Sequence, residues 1–164
     1  MLRRRARKVP RVDDSVRRLV DDMIESMRAA DGVGLAAPQI GVGLRIVVFG
    51  MPDEEPVPLI NPTIVKRSGT RRLDGEGCLS VPGYRGAVTR SARVIVKGLN
   101  IHGREVRIRA EDSLLAQALE HEVDHVNGIL YVDRLDSMDD LLTLDGDTWV
   151  AAGEGDRLYV GGAG

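Results

Sequence analysis

At 164 residues, with 43% hydrophobic and 29% charged side chains, the chain has the size and make-up of one ordinary globular domain, large enough to bury a core without staples. No apolar run approaches the ~20 residues of a membrane span, and a net charge of −2 argues against general nucleic-acid binding. The single cysteine, Cys78, rules out an internal disulfide, and the lack of a signal-peptide apolar core points to a reducing cytoplasm.

The first 18 residues hold eight Lys or Arg against two Asp. A transit peptide shares that bias, but the acidic pair Asp13 and Asp14 and the run straight into an amphipathic pattern read as folded protein. Val16, Leu19, Val20, Met23, Ile24 and Met27 follow helical spacing, which predicts a helix over 14–30 capped near Asp13 and stopped at Gly32. Residues 32–41, GVGLAAPQIG, are too rich in glycine and too broken by proline for a regular element and read as a structured loop. Strands are predicted over 44–49, 58–65, 92–99 and 105–110, where β-branched residues gather. His102 and Gly103 sit between the last two, so His102 is expected to be a surface turn residue. Residues 74–84, DGEGCLSVPGY, read as irregular backbone. Ser113 can cap a helix through Leu115, Ala118, Leu119, Val123 and Val126, ended by Asn127 and Gly128. Several faces of that helix are apolar, as in a buried central helix. Residues 129–132 read as a short strand. From residue 133 onward there are eight acidic and two basic residues, and no repeat or linker.

The chemistry lies in the second helix. His121 and His125 are spaced i and i+4, which stacks both imidazoles on one face, with Glu122 beside the first. Two imidazoles leave a catalytic ion one protein ligand short. A metzincin would place a third histidine where Tyr131 stands, and a thermolysin-like site needs a downstream glutamate, for which only Glu154 in the acidic tail is available. Cys78 offers a thiolate, a strong ligand for a borderline or soft ion, and a Cys78, His121, His125 set fits best.

With those residues in view, the chain resembles the peptide deformylases, through GVGLAAPQ (32–39), EGCLS (76–80) and HEVDH (121–125) in that order, with similarity over roughly residues 12–135. The resemblance implies an α+β fold in which short, mostly antiparallel sheets surround a buried central helix carrying HExxH. It implies a metal-dependent hydrolase that removes the formyl group from N-formyl-methionyl peptides and nascent chains. By the same resemblance Cys78, His121 and His125 hold the metal, Glu122 is the general base and acid, and the Gln39 side-chain amide and Leu79 backbone N–H stabilise the oxyanion. The ion implied is Fe(II), with Zn, Ni or Co able to take its place. Val33, Gly34, Gly77 and Arg85 are implied to meet the substrate backbone, and Leu114, Gln117 and Ala118 to line the methionine pocket. Glu76 is implied to pair with Arg90 and order the cysteine loop, and Asp124 is expected to support the ligand helix.

Residues 1–135 are expected to form one catalytic domain and 136–164 an acidic C-terminal extension whose structure the sequence does not specify. Many family members carry a basic C-terminal helix that docks on the ribosome, and like charges argue against ribosome docking through this acidic tail. The chain lacks the short apolar, proline-containing segment that usually comes first in the family, as a truncated or short start would. Glu120 stands where glutamine is frequent, outside the ligand set, and Gln117 stands where an apolar pocket residue is frequent. Two competing readings are a zinc endopeptidase and a catalytically silent deformylase-like protein that binds peptides. No membrane association and no direct nucleic-acid partner are expected.

Overall fold

The computed structural model describes residues 2–156. A first helix, α1 (Asp14–Ala29), is followed by strands β1 (Gly34–Ala36), β2 (Ile46–Phe49), β3 (Val57–Ser68), β4 (Arg71–Cys78), β5 (Val81–Arg90), β6 (Arg93–Leu99) and β7 (Glu105–Glu111). The second helix, α2 (Leu114–Val126), and a hairpin of β8 (Leu142–Asp145) and β9 (Thr148–Ala151) complete the order. The strands form a five-stranded sheet, β1-β2-β3-β6-β7, and a four-stranded sheet, β4-β5-β8-β9, with antiparallel pairing throughout.

Side-chain alternation along β2 assigns the two faces of the first sheet. Ile46 and Val48 join Ile60 against Val16, Val20, Met23 and Met27 of α1. Val47 and Phe49 join Leu59, Val94 and Val96 against Ala116, Leu119, Val123 and Val126 of α2. A third cluster, built on Val81, Val88, Leu130, Tyr131 and Leu141, packs against the second sheet. Helix α2 therefore lies between layers, and ten of its thirteen residues are buried, including Glu120, Glu122, Asp124 and both histidines. Burial of so many polar groups in one helix calls for polar partners, and several of these surround the candidate site.

The ends of α2 are fixed by sequence. The Ser113 hydroxyl accepts from Ala116 N–H at 3.1 Å, and Gly128 leaves the helix at φ +78°. A Cβ on Gly128 would lie 2.6 Å from the Arg3 carbonyl oxygen, so the N-terminal segment crossing here also requires glycine. His102 sits in the β6–β7 turn, its N–H donating to Asn100 Oδ1, as expected for a turn residue.

Three segments differ from the sequence-based expectation. Residues 74–78 and 81–84 belong to β4 and β5, joined by a turn at Leu79 and Ser80, with register shifts between Leu73 and Glu76 and between Glu76 and Cys78. The glycines there serve bulges, which bend a strand without ending it. Residues 32–41 contain β1 and a 3-10 turn, Ala37–Ile40, in place of a loop, and residues 131–134 form a 3-10 turn in place of a strand. In the acidic tail, β8 pairs with β5 at Arg85 opposite Leu142 and Tyr84 opposite Thr143. Residues 157–164 of that tail lie outside the described residues.

Candidate active site

The β4–β5 hairpin delivers Cys78 to the helix face that carries His121 and His125. Cys78 Sγ is 3.2 Å from His125 Nε2, which is 3.2 Å from His121 Nε2. The three candidate ligand atoms lie within 4.8 Å of one another. Each histidine directs Nε2 inward, and His121 uses Nδ1–H to donate to Glu76 Oε1 at 2.6 Å. That hydrogen bond orients the ring so that Nε2 faces the cluster.

Burial and neighbouring charges act on the two imidazoles in opposite directions. Burial disfavours charge on His121, but its contacts with Cys78 and Glu76 and the nearby Glu122 charge prevail and push it up to about 10. Burial, with the charges of His121 and Arg90, pushes His125 down to about 3. A cysteine sulfur and two imidazole nitrogens this close together are a donor set chemically matched to a borderline or soft divalent ion. Glu122 lies beside these donors, Oε1 4.0 Å from His121 Nε2, with Oε2 buried and without a protein partner. Burial pushes the Glu122 carboxyl up to about 7, against the pull of His121. A carboxylate of that kind can exchange a proton near neutral pH.

Behind the candidate ligands runs an ionic chain that is buried up to its exposed end at Arg134. Glu76 accepts from His121 and from Arg90 Nε at 3.1 Å. Arg90 Nη1 donates to Asp124 Oδ2 at 2.8 Å, and Arg134 donates to both Asp124 oxygens at 3.1 and 3.2 Å. Burial alone would raise Glu76, but hydrogen bonds from His121 and Arg90 hold it down at about 2. The expected Glu76–Arg90 pair is therefore present, and Asp124 anchors the helix to Arg90 and Arg134. Glu120 stands apart from the ligands, accepting from Ser91 N–H at 2.7 Å.

The first motif places Gln39 opposite Cys78. Its Oε1 accepts from Ala36 N–H at 2.8 Å, which turns Nε2 towards Ser80 Oγ at 3.0 Å and Cys78 Sγ at 3.7 Å. Gly34 backs onto Glu122, where a Cβ would meet Cγ and Oε1 at 3.0 Å. The Arg85 side chain lies along the β4 glycines, Cγ being 3.4 Å from where a Gly77 Cβ would stand.

A cleft of about 600 Å³ opens over the cluster. Val33, Gly34, Gln39, Gly77, Cys78, Leu79, Arg85, Leu114, Gln117, Ala118, His121 and Glu122 all line it, while His125 lies behind it. Leu144 and Trp149 of the tail hairpin line it as well, which no sequence signal indicated beyond an isolated tryptophan in a polar stretch. Sequence reading also missed Arg134, the Ser80 hydroxyl that receives Gln39, and Tyr131, whose ring stacks at 6.4 Å from that of His121.

Comparison with known proteins gives consistent matches. A family model described as "Polypeptide deformylase" matches residues 1–140. A protein named "Peptide deformylase" from Dehalococcoides mccartyi is 55% identical over 142 residues, spanning 86% of this chain and 84% of that protein. "Peptide deformylase 1" of Clostridium acetobutylicum is 51% identical over 135 residues, spanning 82% and 88%. Among solved structures, a peptide deformylase from Legionella pneumophila superposes with a TM-score of 0.79 at 45% identity, covering 84% of this chain and 81% of that one. One from Synechococcus elongatus in complex with actinonin gives 0.79 at 40% identity, covering 83% and 76%.

Proposed function

Because this chain belongs to the polypeptide deformylase family, we infer that Cys78, His121 and His125 hold its metal ion and that Glu122 moves the protons of its reaction. The protein is a metal-dependent hydrolase that takes the N-terminal formyl group from formyl-methionyl polypeptides and releases formate. One observation carries the assignment of roles: the Cys78 sulfur and two imidazole Nε2 atoms converge within 4.8 Å beside a buried carboxylate oxygen that has no protein partner.

When bound, a divalent ion supplies Lewis acidity there, acidifying a water towards neutral pH and polarising the formyl oxygen. Glu122 accepts the water proton and later delivers it to the leaving amine. Gln39 Nε2, fixed in direction by the Ala36 N–H, and the Leu79 N–H donate to the developing oxyanion, each contributing ~3 kcal/mol. An uncharged amide suits this place, since it donates without competing for the ion. Val33, Gly34, Gly77 and Arg85 receive the peptide main chain, and Leu114, Gln117 and Ala118 receive the methionine side chain. Gln117 is half-buried at that wall, so its amide tunes the side-chain preference.

The proposed ion is Fe(II), for which a thiolate and two imidazoles are suitable donors, with Zn, Ni and Co as substitutes. Metal analysis of anaerobically purified protein, with activity lost to peroxide, would support iron, and activity unchanged by oxygen and peroxide would point to another ion. The site of action is the cytoplasm, where formylated nascent chains are made. Ribosome docking through the acidic tail is disfavoured, and co-sedimentation with ribosomes at low salt, abolished by deleting residues 136–164, would overturn that.

The deciding assay compares formate release from fMet-Ala-Ser and acetyl-Met-Ala-Ser. Release is expected from the first alone, and Glu122→Ala is expected to remove it while metal content is retained. A fully active Glu122→Ala protein would refute the proton-transfer role. Cys78→Ala protein that still bound metal and cut casein would instead favour an endopeptidase.

A further inference from the structure

The tail hairpin occupies a defined place on the cleft. Residues directly opposite in an antiparallel pair share a face, as do residues two apart along a strand. Arg85 lies opposite Leu142, Leu142 and Leu144 are two apart, and Leu144 lies opposite Trp149. These four side chains therefore share one face of the second sheet. Arg85, Leu144 and Trp149 also line the cleft that holds Cys78 and Glu122.

Two contacts fix this wall. The Arg85 guanidinium carbon sits 4.7 Å from the centre of the Trp149 ring, a cation–π stack. On its other side Arg85 lies over the β4 glycines, with Cδ 3.9 Å from where a Gly75 Cβ would stand. Arg85 is thus held between a glycine floor and an indole, and the hairpin sets where its charge points.

The wall is also apolar at its edge. Six large hydrophobic residues are exposed among those described, and Leu79, Leu114 and Leu144 of these line this one cleft. Grouped exposed leucines beside a catalytic site mark a surface that takes apolar ligand groups. The family model ends at residue 140, before the hairpin begins, so Leu144 and Trp149 lie outside the part of the chain that it matches.

We propose that the β8–β9 hairpin is a specificity wall of the substrate cleft, on which Leu144 and Trp149 bind an apolar side chain downstream of the formyl-methionine. The inference rests on the deformylase reading of the cleft, and its test separates the two. Trp149 is the single tryptophan of the chain, so its fluorescence reports on the wall without any need for turnover. Titration with the deformylated peptides Met-Ala-Leu-Ser, Met-Leu-Ala-Ser and Met-Ala-Gly-Ser is expected to shift or quench Trp149 emission saturably. At least one leucine peptide should bind about tenfold more tightly than the glycine peptide, the scale of one aliphatic group in an apolar pocket.

Leu144 is exposed, so Leu144→Ser leaves the fold intact, and it is expected to cut that ratio to about twofold. In parallel, the kcat/KM ratio between formylated leucine and glycine peptides should fall in Leu144→Ser and in Trp149→Ala, through KM. Equal fluorescence affinities for leucine and glycine peptides, or a leucine preference that Leu144→Ser leaves intact, would overturn the proposal. Formate release with no such preference would sink the wall and keep the deformylase reading. Leucine-selective fluorescence binding without formate release would do the reverse.

Discussion

At the scale of single residues, the site depends on groups brought together without slack. Gly34 illustrates this, because a methyl group there would stand 3.0 Å from Glu122 Cγ and Oε1. The carboxylate would have to turn away from the cluster while the three ligands stayed in place. Gly34→Ala is therefore expected to lower kcat by about tenfold to a hundredfold, the cost of ~1 Å of misplacement in a catalytic group. Metal content and circular dichroism should match the parent protein. Unchanged kcat in Gly34→Ala would mean that Glu122 is free to move and that the glycine serves only backbone geometry. His121, Glu122 and His125 were legible in the sequence because helical spacing alone puts their side chains on neighbouring faces, and Cys78 because no other thiol exists. Ser80, Arg134 and Trp149 were not legible, since each reaches the site through a long-range contact that local spacing does not encode.

At the scale of elements, α2 is a helix whose ends are specified by sequence and whose middle is specified by tertiary partners. Its limits were predictable from Ser113 and from Asn127 followed by Gly128, because caps are local chemistry. Gly128 also carries a non-local constraint, the Arg3 carbonyl 2.6 Å from where its Cβ would be. Gly128→Ala is expected to cost more than the ~1 kcal/mol of the left-handed backbone alone, since the N-terminal segment must also move. Ser113→Ala should cost about 1 kcal/mol, and a drop of about 2–4 °C in Tm would register it. Equal stability of the two variants would show that the N-terminal segment gives way freely. The hairpin of β4 and β5 was the element least legible in sequence. Gly75 and Gly77 have the composition of a loop, and only pairing with β5 turns them into bulged strand. Composition reports local backbone freedom, whereas a bulge is decided by the neighbouring strand.

At the scale of the whole molecule, the proposed ligand set joins parts of the fold that are otherwise packed separately. Cys78 ends β4 of the four-stranded sheet, whereas His121 and His125 lie on the helix that covers the five-stranded sheet. The fold class was readable because helical and strand periods alternate in the expected places. The division into two sheets was not, because the tail strands have no strong period and β5 recruits them. An ion held by Cys78, His121 and His125 as proposed would bind the folded chain and not the unfolded one, and would add stability in proportion to the logarithm of its excess over Kd. With a thousandfold excess that amounts to ~4 kcal/mol, or about 8–16 °C in Tm for a chain of this size. Chelation is accordingly expected to lower Tm by about that much and to raise amide hydrogen exchange first in β4, β5 and α2, the elements the ligands tie together. The α1 face of the five-stranded sheet should keep its protection, because Val20, Met23 and Ile46 pack there without any contribution from the ligands. Cys78→Ser should start from the lower Tm and respond weakly to chelator. A chelator effect of equal size in Cys78→Ser, or one spread evenly over both sheets, would mean that the ion does not couple the hairpin to the helix.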